Sequence, residues 1–449
     1  MDKDVFPLLT VAYYVSKGLT QRQTATIMGK SEAMISRLLN RAKELKLLKV
    51  TYDFQFPEGF PAAYRENFAA YITHPSLTKR LKKEFDGELR RCTVVPNLSE
   101  KSNDGTKSHD SKKGNKEKGN HNRLVHIAAA GRIQKILTEG PEEPPSNPEF
   151  DRSQWFPTRQ NVLVSWGYAV QSVIKNMDTQ LKHRISSPSF KDLKVMPLLG
   201  NFSVPEATQN SMQYDAIVEA YENSVHFSSN TNARQLCAVL DKLPPRPLLT
   251  VALLKADEGE LCQCAPVFRA DQTLMEIYGD WWRDSSRRDS LIWEADTLIT
   301  SVGGPDRLPE HSPYCYMGYF SNDQPPDNVR GDISGLLFDE QCRQVELHDR
   351  QIVGLRLEHI AYIAERHRKG LQSRYSFPCG AGVFVVASGR KKALPLSTLL
   401  DHGMINELIT DEGTAKAILL EHAKRKNPEG TKSSKGKNNV ALHVVDARG

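Results

Sequence analysis

Six short apolar runs punctuate the chain from residue 91 onward: RCTVVPN at Arg91, NVLVSW at Asn161, KVMPLLG at Lys194, TLITSVGG at Thr297, GVFVVASG at Gly382 and INELITDE at Ile405. Each is apolar along most of its length rather than alternating, which suits a strand buried on both faces. Several end in glycine or in a polar residue able to open a helix. Runs of this kind separated by helical segments predict βαβ units around a parallel sheet, and hence an α/β protein. In such sheets ligands bind outside the carboxyl ends of the strands, so those ends are where binding chemistry is expected.

A different pattern occupies the amino-terminal region. In LTQRQTATIMGKSEAMISRLLNRAK, from Leu19 to Lys43, Thr20 is a good helix N-cap and Gln23 completes a capping box. Ala25 is small enough for a second helix to cross closely. Gly29 falls where the chain must turn, and glycine takes a left-handed backbone without steric cost. Ser31 then caps a further helix whose Ile35, Leu38, Leu39 and Ala42 recur at helical spacing as a buried stripe. Ser31, Glu32, Ala33, Ser36, Arg37, Asn40 and Lys43 are left outward. A first helix is expected over 6–17, packing Leu9, Ala12 and Tyr13 inward, and 47–54 reads as a short wing strand or a descent into the next domain. The pattern is that of a winged helix-turn-helix, with Arg37, Arg41 and Lys43 able to reach guanine or phosphate.

Charge separates this reading from an ordinary helical hairpin. Residues 1–50 hold nine Lys or Arg against four acidic residues, a net +5 of the chain's formal +6. The excess lies where phosphate contacts would form. Double-stranded operator DNA is therefore the expected macromolecular partner, with Thr20, Gln21, Ser31, Glu32, Ser36, Arg37, Asn40, Arg41 and Lys43 as the DNA-facing residues.

At 449 residues the chain is too long for one core. The expected division is a DNA-binding domain over 1–56, a larger α/β domain over 57–424, and a polar tail over 425–449. Within the middle unit, residues 99–122 contain no apolar side chain and are expected to be a disordered insertion. PEEPPSNPEF at Pro141 reads as a proline-rich bridge. No apolar run is long enough to span a bilayer, and the chain opens without the succession of a secretory signal. No membrane association and a cytoplasmic location are expected. The seven cysteines, 92, 237, 262, 264, 315, 342 and 379, are scattered. The C-x-C at Cys262 and Cys264 has no nearby histidines, so they read as reduced packing thiols without a metal site. The glycine pairs form no G-x-G-x-x-G fingerprint, and no cofactor is expected.

The order of motifs resembles the SorC-type, sugar-binding transcriptional regulators. The pieces that carry the resemblance are the helix-turn-helix, VVPN at Val94, LVHIAAAGRIQKIL at Leu124, SWG at Ser165, PLLGN at Pro197, CAPVF at Cys264, ADTLITSVGG at Ala295, VRGDISGLLFD at Val329, IVGLRLEHI at Ile352, VVASGRKKALPL at Val385 and LITDEGTA at Leu408. Together they run along nearly the whole chain outside the insertions. The resemblance implies a winged helix-turn-helix followed by a Rossmann-like parallel-sheet effector domain, similar to the ribose-5-phosphate isomerase, glucosamine-6-phosphate deaminase and CoA-transferase folds. For residues 57–424 it implies an effector-binding and oligomerisation domain, with a sugar or sugar-phosphate effector and a homo-oligomer, a dimer or a tetramer built from dimers.

The same resemblance points to particular effector-binding residues. The phosphate loop after the SWG strand becomes Gly167, Tyr168 and Ala169, where the usual hydroxyl side chain is replaced by Ala169. A second loop, usually two glycines, becomes Gly200 and Asn201. Asp332 in VRGDISG is placed to accept hydrogen bonds from sugar hydroxyls, or else to cap a turn. Lys392 stands where an ammonium would neutralise an anion, or else is one of a solvated run with Arg390 and Lys391. Asp411 and Glu412 read as a helix cap rather than as a general base. No catalytic residue is assigned. The alternative from another class is a sugar-phosphate isomerase or deaminase relative with an accessory DNA domain; a recombinase is disfavoured because the trio of spaced carboxylates for two metals is missing.

Overall fold

The computed structural model describes residues 5–17, 19–45, 47–48, 73–96, 114–139, 159–177, 192–199, 228–248, 253–255, 269–279, 288–305, 326–346, 350–352, 354–371 and 380–426. Gly200, Asn201, Cys262, Cys264, Cys315, Cys379, the proline-rich bridge at 141–150, residues 99–113, most of the expected wing and the tail beyond 426 lie outside these residues.

Three helices form the amino-terminal unit: α1 (Val5–Ser16), α2 (Gln21–Met28) and α3 (Glu32–Glu44). The sequence signals act as expected. Thr20 and Gln23 close a reciprocal capping box, Gly29 ends α2 with φ 61°, and the Ser31 hydroxyl accepts from the Met34 N–H. Leu9, Ala12, Ala25, Ile35, Leu39 and Ala42 are buried in one cluster. Leu38, expected in the same stripe, is only half-buried at its margin.

Beyond it come α4 (Pro75–Glu84), β1 (Arg91–Val95), α5 (Gly114–Glu139), β2 (Arg159–Val164), α6 (Tyr168–Lys175), β3 (Asp192–Pro197), α7 (Ser229–Val239) and β4 (Leu253–Lys255). The chain continues through α8 (Gln272–Tyr278), β5 (Thr297–Thr300), β6 (Val302–Gly303), β7 (Gly331–Ile333), β8 (Leu336–Phe338), β9 (Arg350–Ile352) and α9 (Leu357–Lys369). It closes with β10 (Gly382–Val386), α10 (Ala393–Asp401), β11 (Glu407–Asp411) and α11 (Glu412–Lys426).

The six apolar runs become the six strands of one all-parallel sheet, in the order β1-β11-β10-β5-β2-β3. Alternate side chains point to opposite faces. Val94, Leu163, Leu298, Val383, Val385 and Leu408 pack under α4, α9, α10 and α11. Val95, Val162, Val164, Ile299, Phe384, Val386 and Ile409 pack under α5, α6 and α7. Both faces are covered, which is why these strands read as continuous apolar runs. Tyr14 and Leu19 of the amino-terminal unit are buried in this second layer, so the helix-turn-helix rests on the face that holds α5, α6 and α7.

Two expectations need correction. Helix α5 starts at Gly114, so residues 114–122 of the stretch expected to be disordered have helical backbone. Propagation adds a hydrogen bond for each residue fixed once an apolar segment such as Leu124–Leu137 has nucleated a helix, and it needs no apolar side chain of its own. Likewise α11 continues to Lys426, past the expected start of the tail at 425.

Candidate functional site

The strand order reverses direction at one place. From β2 the chain goes outward to β3, whereas from β5 it returns through β10 to β11. The crevice outside the carboxyl ends of β2 and β5 is thus the topological switch point. Gly167 follows β2 there, with φ 113°, and opens α6 with no side-chain cap. A Cβ on Gly167 would stand 3.4 Å from the Ser301 hydroxyl at the end of β5. The backbone N–H groups of the first turn of an uncapped helix such as α6 are the kind of group that recognises an anion. Tyr168 is exposed beside it and Ala169 is half-buried.

The β7–β8 hairpin supplies the opposite wall. Ser334 and Gly335 both have positive φ, 55° and 84°, as a two-residue hairpin turn demands. Ser334 is tied to Thr300 at the end of β5 by a hydroxyl hydrogen bond of 2.7 Å. Asp332 accepts the Gly335 N–H at 3.0 Å, so it does cap the turn. Its carboxylate also lies over Gly303, where any Cβ would overlap it. Burial pushes the Asp332 carboxyl up to about 6, against the opposing pull of the Gly335 N–H, the Lys392 charge and the Gly303 N–H.

Lys392 is the third element. Of the run after Gly389, Arg390 and Lys391 are exposed, as a solvated helix start would be, but Lys392 is half-buried. Its charge is felt both by Asp332 and by His126 of α5. His126 is buried, its ring is edge-on to Tyr168 with centroids 6.0 Å apart, and burial and Lys392 lower its pKa to about 4. The imidazole is neutral at physiological pH. Sequence reasoning quoted its helix but missed His126, because a histidine in an apolar helix gives no signal until its neighbours are known. Ser301 was missed for the same reason.

Asp411 is committed elsewhere. Its carboxylate accepts the Gly389 N–H at 2.9 Å, the Thr414 N–H at 2.8 Å and the Thr414 hydroxyl at 2.7 Å. It caps α11 and fixes the loop that presents Lys392. A separate groove of about 280 Å³ lies beside β3, lined by Leu193, Met196, Lys242, Pro245 and Glu276 among others, and among the described residues none of the expected effector residues borders it.

The amino-terminal unit presents the second candidate surface. Thr20, Gln21, Ser31, Glu32, Arg37, Asn40, Arg41 and Lys43 are exposed, and Ser36 is half-buried. Arg41 pairs with Glu44 at 2.9 Å, a contact open to solvent.

Comparison with solved structures returns a consistent set. Transcriptional regulators and their sugar-binding domains are among its members. The full-length sorbitol operon regulator SorC from Klebsiella pneumoniae is 19% identical over 93% of this chain and 99% of its own, with a TM-score of 0.45. A probable sor operon regulator from Shigella flexneri is 16% identical, covering 77% and 99%, with a TM-score of 0.42. A DeoR family transcriptional regulator from Listeria monocytogenes is 15% identical, covering 77% and 98%, with a TM-score of 0.44. No family model matches the chain, and no curated protein matches it by sequence.

Proposed function

We propose that this protein is a DNA-binding transcriptional regulator whose operator affinity is controlled by a small carbohydrate, with a sugar phosphate as the effector. The observation that carries the reading is the open outer face of α3. Arg37, Asn40, Arg41 and Lys43 are free of burial on a helix whose other side, Ile35, Leu39 and Ala42, is locked into the three-helix core. A helix held in that way can enter a major groove without disturbing its own packing.

The effector would bind at the switch point. The α6 N-terminus and Lys392 would take the anionic group, and Asp332 would accept hydrogen bonds from sugar hydroxyls. Because Ala169 has no hydroxyl, the anion would be held by backbone N–H groups and by Lys392. An acid–base enzyme is disfavoured, since Asp411 already accepts three hydrogen bonds in a cap. Effector and reader share a layer: α6 and His126 of α5 line the crevice, and Tyr14 and Leu19 pack into the same layer. A homo-oligomer would place two α3 helices on half-sites, and an effector that favours one arrangement would shift DNA affinity reciprocally.

Duplexes enriched from a randomised pool by the full chain test the DNA half. Arg37→Ala is expected to weaken the enriched duplex by about 1–3 kcal/mol and to relax base preference, whereas Lys43→Ala weakens all duplexes about equally and lowers the salt slope by about 1. Unchanged affinity for both variants in a gel-shift titration would refute the DNA reading. For the effector half, Lys392→Ala is expected to leave DNA affinity intact and to weaken the response to phosphorylated sugars about tenfold, the scale of one charge-assisted hydrogen bond. Calorimetry across a panel of phosphorylated sugars that detects no ligand for the unmodified chain would refute it.

A further inference from the structure

The first turn of α3 is unusual for a surface that must meet a polyanion: two of its exposed residues, Ala33 and Met34, are apolar, and Met34 is 40% exposed. Leaving a methionine open to water has no role in the three-helix core, which Ile35, Leu39 and Ala42 already fill from the other side of the helix. At 100° per residue, Ala33 shares the outermost stripe with Arg37 and Asn40, one and two turns further on, and Met34 lies on the Arg41 flank. The apolar pair therefore sits at the helix end that approaches base edges, and cations follow it along the groove. In the major groove one base offers an apolar group, the C5-methyl of thymine.

We propose that the amino-terminal turn of α3 reads thymine through its 5-methyl group, with Ala33 and Met34 forming the apolar contact beside the base that Arg37 engages. This rests on the DNA-binding reading above and adds the identity of a base to it. Glu32, exposed at the first position of the helix, disfavours a phosphate contact at this end and keeps the turn directed at base edges. Lys30, Arg37, Arg41 and Lys43 supply the charge that holds the backbone on either side.

Replacing thymine by deoxyuridine removes the methyl and nothing else. In duplexes enriched by the full chain, one such replacement per half-site, opposite the start of α3, is expected to weaken binding about fourfold, the value of one buried methyl group, and about 16-fold in a two-half-site operator. The Ala33→Ser, Met34→Gln double variant is expected to bind the thymine and deoxyuridine duplexes equally, while the Lys43→Ala chain keeps the full discrimination. If every thymine of the enriched site can be replaced without loss of affinity for the unmodified chain, the inference is overturned while DNA binding stands. If no duplex is enriched or retarded at all, both fall together.

Discussion

Glu407→Ala is expected to lower the unfolding free energy of the sheet domain by about 3–5 kcal/mol, the cost of breaking a buried ion pair from one side. Glu407 opens β11 and its side chain is fully buried. Arg132 of α5 donates to both of its oxygens, from Nε at 2.8 Å and from Nη2 at 2.7 Å. This two-pronged contact joins a helix to the sheet across 275 residues of sequence, and the Arg132 side chain is itself only 10% exposed. Truncating the carboxylate leaves a guanidinium in an apolar layer with its strongest partner gone. Replacing both partners, as in Arg132→Met with Glu407→Leu, is expected to cost much less than Glu407→Ala alone, because neither charge is then stranded. Denaturant unfolding followed by far-ultraviolet circular dichroism measures both. A loss below about 1 kcal/mol for Glu407→Ala would mean that the guanidinium reaches water once released, at the low cost typical of exposed pairs. Since His126 lies on the same helix, six residues before Arg132, this pair also anchors the helix that borders the proposed effector crevice.

The parts of this architecture that were legible in advance are those in which local chemistry and tertiary demand agree. Every one of the six apolar runs forms a strand, because a strand covered on both faces is apolar along most of its length rather than alternating. The caps at Thr20 and Ser31 and the left-handed Gly29 could be read for the same reason: each satisfies backbone groups within three or four residues. What depends on long-range proximity could not be read. His126, Ser301 and Gly303 become site residues only when β5, α5 and the β7–β8 hairpin meet, and nothing near them in sequence announces that meeting. The Arg132–Glu407 pair is hidden in the same way. Asp332 was legible as two competing roles, and the geometry shows the turn cap: one oxygen accepts the Gly335 N–H of the Ser334–Gly335 turn, while the carboxylate lies within the field of Lys392.

The burial of that carboxyl has a measurable signature in the comparison of the unmodified chain with Asp332→Asn. The folded state holds the Asp332 proton up to about pH 6, whereas the ordinary carboxyl releases it near 3.8. Between those values the folded chain binds more protons than the unfolded chain, so this group's contribution to stability is fully present well below pH 3.8 and is lost as the pH rises through 6, by about 3 kcal/mol in all. His126 works in the opposite direction. Its folded value of about 4 lies below the ordinary 6.5, so its contribution is present above 6.5 and is lost as the pH falls. The two slopes oppose each other in the unmodified chain, and only subtraction separates them. Asparagine keeps an oxygen for the Gly335 N–H and removes the titration, so the stability of the unmodified chain minus that of Asp332→Asn is expected to fall by about 2 kcal/mol from pH 4 to 6.5. A difference that stays flat over that range would show that the carboxylate is solvated, and the account of its burial would be wrong. If the variant is the more stable at pH 7 and yet responds less to the effector, the ionised carboxylate is retained against the interest of the fold, and the proposed sugar hydroxyls are what it is kept for.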